Sequence, residues 1–412
     1  MSLTLIQLVS EQTMQNLLPV LRLKPARLVH LATSRTVARS AWIAEAGRQA
    51  ACCVELETIT LSAMPGMRET MQATLAAIER AGAQGEEVLV NFTGGTKLMS
   101  IGAYVAALKH KTSSFYVDTQ DDVFVDGQSA EGLVSAFQGD LSFTPILRSL
   151  TVHAVAEANG CGRVTGGHDW RPLLPLALHL HTHPDDEHAC HIAVHGSRGH
   201  HSPFANVRSA DHWLNALDED IPLPEAVARL AVDAGLFRPG SQSHALRLPD
   251  GPRHDLIELA RLDGTGKVAG FHTRLFKAIA PLQSALNLLG GSWWEVIVAE
   301  RMRECGRFRD LRWSAQVGER RGAELEEDVV ALDGVRIVYV SCKRSSQGGR
   351  LLPLLEQINA RANRLGGAFN RRFLAIQQPP IGRTLANLQQ RADDLGIRLL
   401  FPSHLTQPDP FS

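Results

Sequence analysis

The chain has 412 residues, 44% hydrophobic and 21% charged, with a formal net charge of -1. That length supports two or three domains with ordinary cores, and the composition excludes both a disordered chain and a polycation. Any nucleic-acid contact must therefore come from a local patch. No apolar run reaches the length of a membrane span, which predicts a protein with no membrane partner. The N-terminus lacks the basic stretch of a signal peptide, and the six cysteines form no Cys-x-x-Cys pair. Both features point to a reducing cytoplasm.

Residues 1–145 alternate strand and helix. Apolar runs predict strands at 3–9, 27–32, 52–59 and 87–93, with helices at 12–21, 36–47 and 67–82 between them. A hairpin at 114–118 and 123–126 closes the segment. Such alternation predicts an α/β fold with a doubly wound, mainly parallel sheet, whose ligands bind beyond the carboxyl ends of the strands. Those ends carry Ser10, Glu11, Gln12 and Thr13, then Thr33 and Ser34, then Thr60. The same hydroxyls could instead serve only as helix caps.

The fourth strand runs into Asn91-Phe92-Thr93-Gly94-Gly95-Thr96-Lys97 and then into an amphipathic helix with Leu98, Ile101, Val105 and Leu108. Strand, glycine loop and helix together present backbone N–H groups to an anion. The helix N-terminus adds partial positive charge and Lys97 a full one. The spacing lacks the upstream glycine of a Walker loop, so a plain ATPase is a poor reading.

Residues 146–284 are richer in histidine, proline and glycine. Helices near 211–217 and 224–234 and a strand near 245–248 suit a small middle module, winged-helix-like in outline. His181, His183, His188, Cys190, His191 and His195 are of types that bind zinc, but their spacing matches no standard finger, so a solvated polar loop is expected there.

Residues 285–412 read as helix (292–305), three strands (309–317, 323–332, 335–342), helix (351–365), strand (371–377), helix (382–395) and strand (397–401). This is the core order of restriction-endonuclease-like nucleases. Asp328 lies mid-strand and Lys343 ends the next strand, with Glu295 on the helix before them. A strand carboxylate and a nearby lysine suit metal-dependent phosphodiester hydrolysis. The carboxylate holds Mg2+ or Mn2+, and the lysine stabilises developing charge. Ser341 stands where an acid usually precedes the lysine by two residues. Either the site has lost activity, or the acid has moved to Glu356 on the following helix, with Glu326 in reserve on the Asp328 face. Cys342 should face away from Lys343, into the core. The 291–412 block holds 18 Lys and Arg against 14 Asp and Glu, including Arg344, Arg350, Arg361, Arg364, Arg371 and Arg372, a set suited to a phosphate backbone.

The Asn91–Lys97 motif after a fourth strand resembles the CARF domain, the Rossmann-like sensor of cyclic oligoadenylates in type III CRISPR defence. Joined to a PD-(D/E)xK block, the chain resembles CRISPR-associated CARF nucleases activated by cyclic tetra-adenylate. The resemblance implies that Thr93, Gly94, Gly95, Thr96 and Lys97 contact phosphates and riboses, that Asn91 shapes the loop, and that Ser10 to Thr13 contact an adenine. It also implies a homodimer acting on DNA and/or RNA, with Asp328 and Glu356 (or Glu326) on the metal, Glu295 as an outer or second-metal ligand, and Lys343 as the charge stabiliser. The alternatives are a nucleotide-responsive regulatory protein with a decayed nuclease site, and a rim that slowly cleaves its own ligand.

Overall fold

The first strand, β1 (Leu3–Leu8), is buried along nearly its whole length, as a central parallel strand covered on both faces must be. The computed structural model describes residues 2–50, 52, 55–128, 131–167, 169–196, 204, 209–242, 244–263, 271–318, 324–345 and 351–412. Cys53, Ala323 and Arg350, which figure in the expectations above, lie outside the described residues.

Around β1, the chain lays down α1 (Met14–Leu23), β2 (Arg27–Ala32), α2 (Val37–Gln49), β3 (Glu55–Thr60), α3 (Met67–Ala83), β4 (Glu87–Asn91), α4 (Lys97–His110), β5 (Ser114–Asp118) and β6 (Val123–Asp126). The sheet order is β3-β2-β1-β4-β5-β6, with only β6 antiparallel to its neighbour. Strand order reverses between β1 and β4, and the crevice above their carboxyl ends is where such sheets bind ligands.

One buried row across this sheet is polar. Asn91, Gln7 and His30 are register partners and fully buried. Asn91 Nδ2 donates to Gln7 Oε1 (2.8 Å), Gln7 Nε2 meets His30 Nε2 (3.4 Å), and His30 Nδ1 meets Ser40 Oγ (2.7 Å). Desolvation pulls the His30 imidazole down to about 3, so it is neutral at physiological pH.

The apolar pattern of α4 is inverted relative to expectation. Its core face is small, made of Gly102, Ala103, Ala106 and Ala107. A Cβ at Gly102 would lie 2.5 Å from the Met67 carbonyl oxygen, so α3 and α4 approach closely only because of the glycine. Leu98, Ile101 and Leu108 face outward.

The C-terminal sheet follows the expected order. Strands Phe308–Gly318, Glu324–Asp333 and Arg336–Ser345 form an antiparallel meander; Asn370–Gln378 and Ile397–Leu400 then add in parallel. The histidine segment is not a loop but two helices, Leu174–Thr182 and Pro184–His195, packed against the Trp293–Glu304 helix and the Leu288–Ser292 turn. Apolar Leu176, Ala177 and Leu180 recur at helical spacing and are buried there, which overrides the polar composition. A small sheet (Ile221–Pro222, Ala245–Arg247, Arg238–Pro239) has the strand order of a winged helix, but one helix, Glu225–Asp233, precedes its hairpin where a helix pair would be needed.

The two large sheets share one apolar core. The Val152–Ala158 helix packs against α1 and α2 on one side and against the Leu351–Gly366 helix and the Glu324–Asp333 strand on the other. Its Val152, Val155 and Ala158 belong to one buried apolar cluster that also holds Leu5, Phe115, Val330, Leu355 and Leu374. At its end Asn159 bridges the halves: it accepts from the Thr13 hydroxyl (2.9 Å) and donates to the Leu365 carbonyl (3.2 Å). Asn159→Ala leaves the buried Thr13 hydroxyl unpaired, and we expect a loss of about 1–3 kcal/mol, read as a lower thermal unfolding midpoint. The double variant Thr13→Val/Asn159→Ala removes both partners of that bond and should cost less than the sum of the two single changes.

Candidate functional site

Two clefts stand out, one on each sheet. The first lies at the carboxyl ends of β1, β2 and β4 and has a volume of about 590 Å3. Of the residues singled out from the sequence, Ser10, Glu11, Thr33, Gly95, Thr96 and Lys97 line it. Thr96 caps α4 by accepting from Met99 N (3.3 Å), and the other first-turn N–H groups have no acceptor within the helix. Lys97 and Arg35 supply charge; Val9, Met64 and Leu98 supply apolar surface. Arg35, Met64 and Leu98 were not anticipated, although Arg35 directly follows Ser34 in a rim loop.

Other expected contacts turn out to be structural. Asn91 Oδ1 accepts from the Thr93 N–H (3.1 Å) and hydroxyl (2.6 Å), and the same Thr93 oxygen accepts from Val117 N (2.7 Å). Asn91 and Thr93 thus fix the loop rather than face the cleft. Thr13 is buried on Asn159, and Gln12 and Ser34 are exposed outside the lining, so of Ser10 to Thr13 only Ser10 and Glu11 line the cleft. Gly94 is buried under β1, where a Cβ would sit 2.0 Å from the Leu8 carbonyl oxygen. Gly95 has φ +77°, which favours glycine.

The second cleft is built on the meander. Asp328 Oδ2 accepts from Ser341 Oγ (3.1 Å), Cys342 N (2.6 Å) and Lys343 Nζ (3.1 Å). Burial works against the Lys343 charge, but the Asp328 carboxylate, together with neighbouring Cys342 and Glu295, more than offsets it and holds the ammonium above its ordinary value. A cavity of about 250 Å3 beside them is lined by His195, Glu295, Lys343 and Arg344, among others. Glu295 accepts from the Trp313 indole N–H (3.2 Å). Desolvation, and then the Asp328 charge, push its carboxyl well above the usual range. Cys342 is buried and its thiol is also pushed up, first by desolvation, so it is not a reactive thiolate.

Glu356 is not in this cleft, which corrects the expectation of a migrated acid. The Leu351–Gly366 helix buries Leu351, Leu355 and Ile358, and that register turns Glu356 outward, where Arg391 donates to it. Glu326 is exposed and takes the Ser314 hydroxyl; Glu327 points inward to Tyr339 and Arg361. The expected basic patch is largely committed as well. Arg344 pairs with Glu187, Arg361 with Glu327 and Arg371 with Asp333.

The donors suit a hard divalent cation only sparsely. Among the described residues no three His, Cys, Asp or Glu side chains form a metal group. Mg2+ needs only one or two carboxylates when substrate phosphate and water complete its shell, and Asp328 with Glu295 meets that minimum.

Residues 4–135 match the family model described as the Card1 CARF domain, so the N-terminal unit is a CARF Rossmann-like domain. No curated protein matches the chain. Among solved structures, protein VC1899 from Vibrio cholerae is 14% identical with TM-score 0.69, over 98% of this chain and 96% of that one. Can2 from Sulfobacillus thermosulfidooxidans, in complex with cyclic tetra-adenylate, is 16% identical with TM-score 0.61, over 96% and 92%. A type III CRISPR defence DNA nuclease activated by cyclic oligoadenylate is 18% identical with TM-score 0.52, over 93% of this chain and 47% of that one. At these identities the likeness is one of fold. Among the described residues, no helix is long and apolar enough to cross a membrane.

Because the folded Glu295 carboxyl is raised, the native state holds a proton that the unfolded chain releases above its ordinary value of 4.5. Stability must then fall as pH rises from that value through the raised one. With divalent ions chelated, we expect Glu295→Gln to flatten this decline in urea midpoints measured between pH 5 and 8.

Proposed function

We propose that this protein is a CRISPR-defence nuclease gated by a cyclic oligoadenylate, cleaving DNA and/or RNA phosphodiester bonds with Mg2+ or Mn2+. The observation that carries the reading is the convergence of Asp328, Lys343 and Glu295 at one cleft, on a frame shared with a CARF rim. Lys343 faces developing negative charge on the phosphate, and Asp328 fixes its position. A divalent cation on Asp328 and Glu295 would shield the phosphate charge. Sensing rests on the cationic rim of Lys97 and Arg35 and on the N-terminus of α4.

Cyclic tetra-adenylate is the activator proposed, and a homodimer the assembly. A ring of four AMP units has two-fold symmetry, so two rims facing each other across a dimer axis would form an isologous site. The outward Leu98, Ile101 and Leu108, with Met64 93% exposed beside the cleft, give the rim an apolar surface for a second copy. A ligand on that axis would shift the two nuclease clefts through the shared core.

Lys343→Ala should lower cyclic tetra-adenylate-dependent cleavage of labelled RNA or DNA by at least about a hundredfold while leaving ligand affinity unchanged. Cleavage that is absent in the wild type, with tight ligand binding intact, would favour the regulatory alternative and make Ser341 the mark of a lost site. Lys97→Ala and Arg35→Ala should each weaken ligand binding by roughly 10–100-fold in calorimetry, the size of one charge-assisted contact.

A further inference from the structure

In the nuclease reading the carboxylates of Asp328 and Glu295 hold the metal, which leaves the proton of an attacking water to another acceptor. Lys343 is cationic and donates to Asp328 and to the Cys342 carbonyl (2.8 Å). One Asp328 oxygen already accepts three donors, and Glu295 takes the Trp313 indole N–H. Ser341 stands where a further carboxylate would be expected, and a hydroxyl is a poor base.

The histidine segment reaches into this gap. His195, the last residue of the Pro184–His195 helix, lines the same cavity as Glu295 and Lys343 and is exposed to solvent. Its placement is built in at three points. Glu187 on that helix is buried and receives Arg344 Nη2 (2.9 Å), and Arg344 is the residue after Lys343. His191 Nδ1 lies 3.4 Å from the Gly290 carbonyl oxygen, and its ring centroid is 4.6 Å from that of His195. A Cβ at Gly290 would come within 2.5 Å of His195 Nε2, so glycine at that turn leaves room for this ring. Burial, and then the Arg344 charge, hold the His191 imidazole below its ordinary value, which favours an uncharged neighbour for His195.

We propose that His195 is a catalytic residue of the nuclease cleft, taking the proton from the water that attacks the scissile phosphate. As the water oxygen bonds to phosphorus, one of its protons passes to an unprotonated ring nitrogen of His195. The bond from phosphorus to the leaving sugar oxygen breaks with its electron pair, and that oxygen takes a proton from solvent. The imidazolium then returns its proton to solvent. This assignment rests on the nuclease reading above, and it gives the middle segment a part in the chemistry.

The test uses full-length protein with cyclic tetra-adenylate, Mn2+ and whichever labelled nucleic acid the wild type cuts. His195→Ala should lower kcat by about 10²–10³-fold with KM little changed, and added imidazole should restore at least about tenfold of that loss. His191→Ala on the same helix should cost far less. Retention of near wild-type kcat by His195→Ala, or a loss that imidazole does not restore, would overturn the assignment and leave the nuclease standing. Equal losses in His195→Ala and His191→Ala with lowered unfolding midpoints would assign both to helix packing and overturn it as well. A wild type that cuts no substrate removes the nuclease reading and this one together.

Discussion

Everything that couples the two clefts depends on the apolar seam around the Val152–Ala158 helix. The same buried cluster takes in Leu5 and Phe115 of the first sheet and Val330, Leu355 and Leu374 of the C-terminal half. Burial of that surface is non-directional and would hold the halves together at many angles. Direction comes from the polar contacts set into it. Asn159 ties Thr13 to Leu365, Asp310 accepts from Val152 N (2.7 Å), and Arg336 donates to the Thr119 carbonyl (2.9 Å). Each fixes one side of the seam to the other with an angular preference that apolar packing lacks.

The two clefts solve opposite electrostatic problems. The first cleft gathers positive charge, with exposed Lys97 and Arg35 and the open end of α4 over a neutral interior row of Asn91, Gln7 and His30. The second cleft instead crowds acids. Glu295 lies within range of the Asp328 charge, in surroundings that favour its protonated form, and Lys343 answers both. A cation bound there would reverse the preference that keeps the buried carboxyl protonated.

Glycine placement shows how closely backbone and chemistry are joined. Gly94 lets the loop pass under β1, and Gly290 makes space for an imidazole. Neither contributes a functional group; a side chain would strike the Leu8 carbonyl at Gly94 and the His195 ring at Gly290.

Strand and helix positions in both sheets were legible from period and punctuation, since the apolar runs ending at Val9 and Val90 and the meander from Phe308 to Ser345 carry strong local signals. The pairing of Asp328 with Lys343 was equally legible, because a hairpin brings such residues together by its own register. The outward turn of Glu356 was not, because the residues that set its helix register pack against strands distant in sequence. The same holds for the burial of Thr13 by Asn159, 146 positions away, and for the inverted face of α4, which small residues alone could bring against α3. The arrival of His195 beside Lys343 is the clearest case. Its helix is set by an ion pair between Glu187 and Arg344, 157 positions apart, and no local pattern encodes a partner at that distance. Sequence alone thus determined the elements and the contacts within a turn or hairpin; tertiary structure decided which side chains meet, because long-range burial and charge pairing set the register of each face.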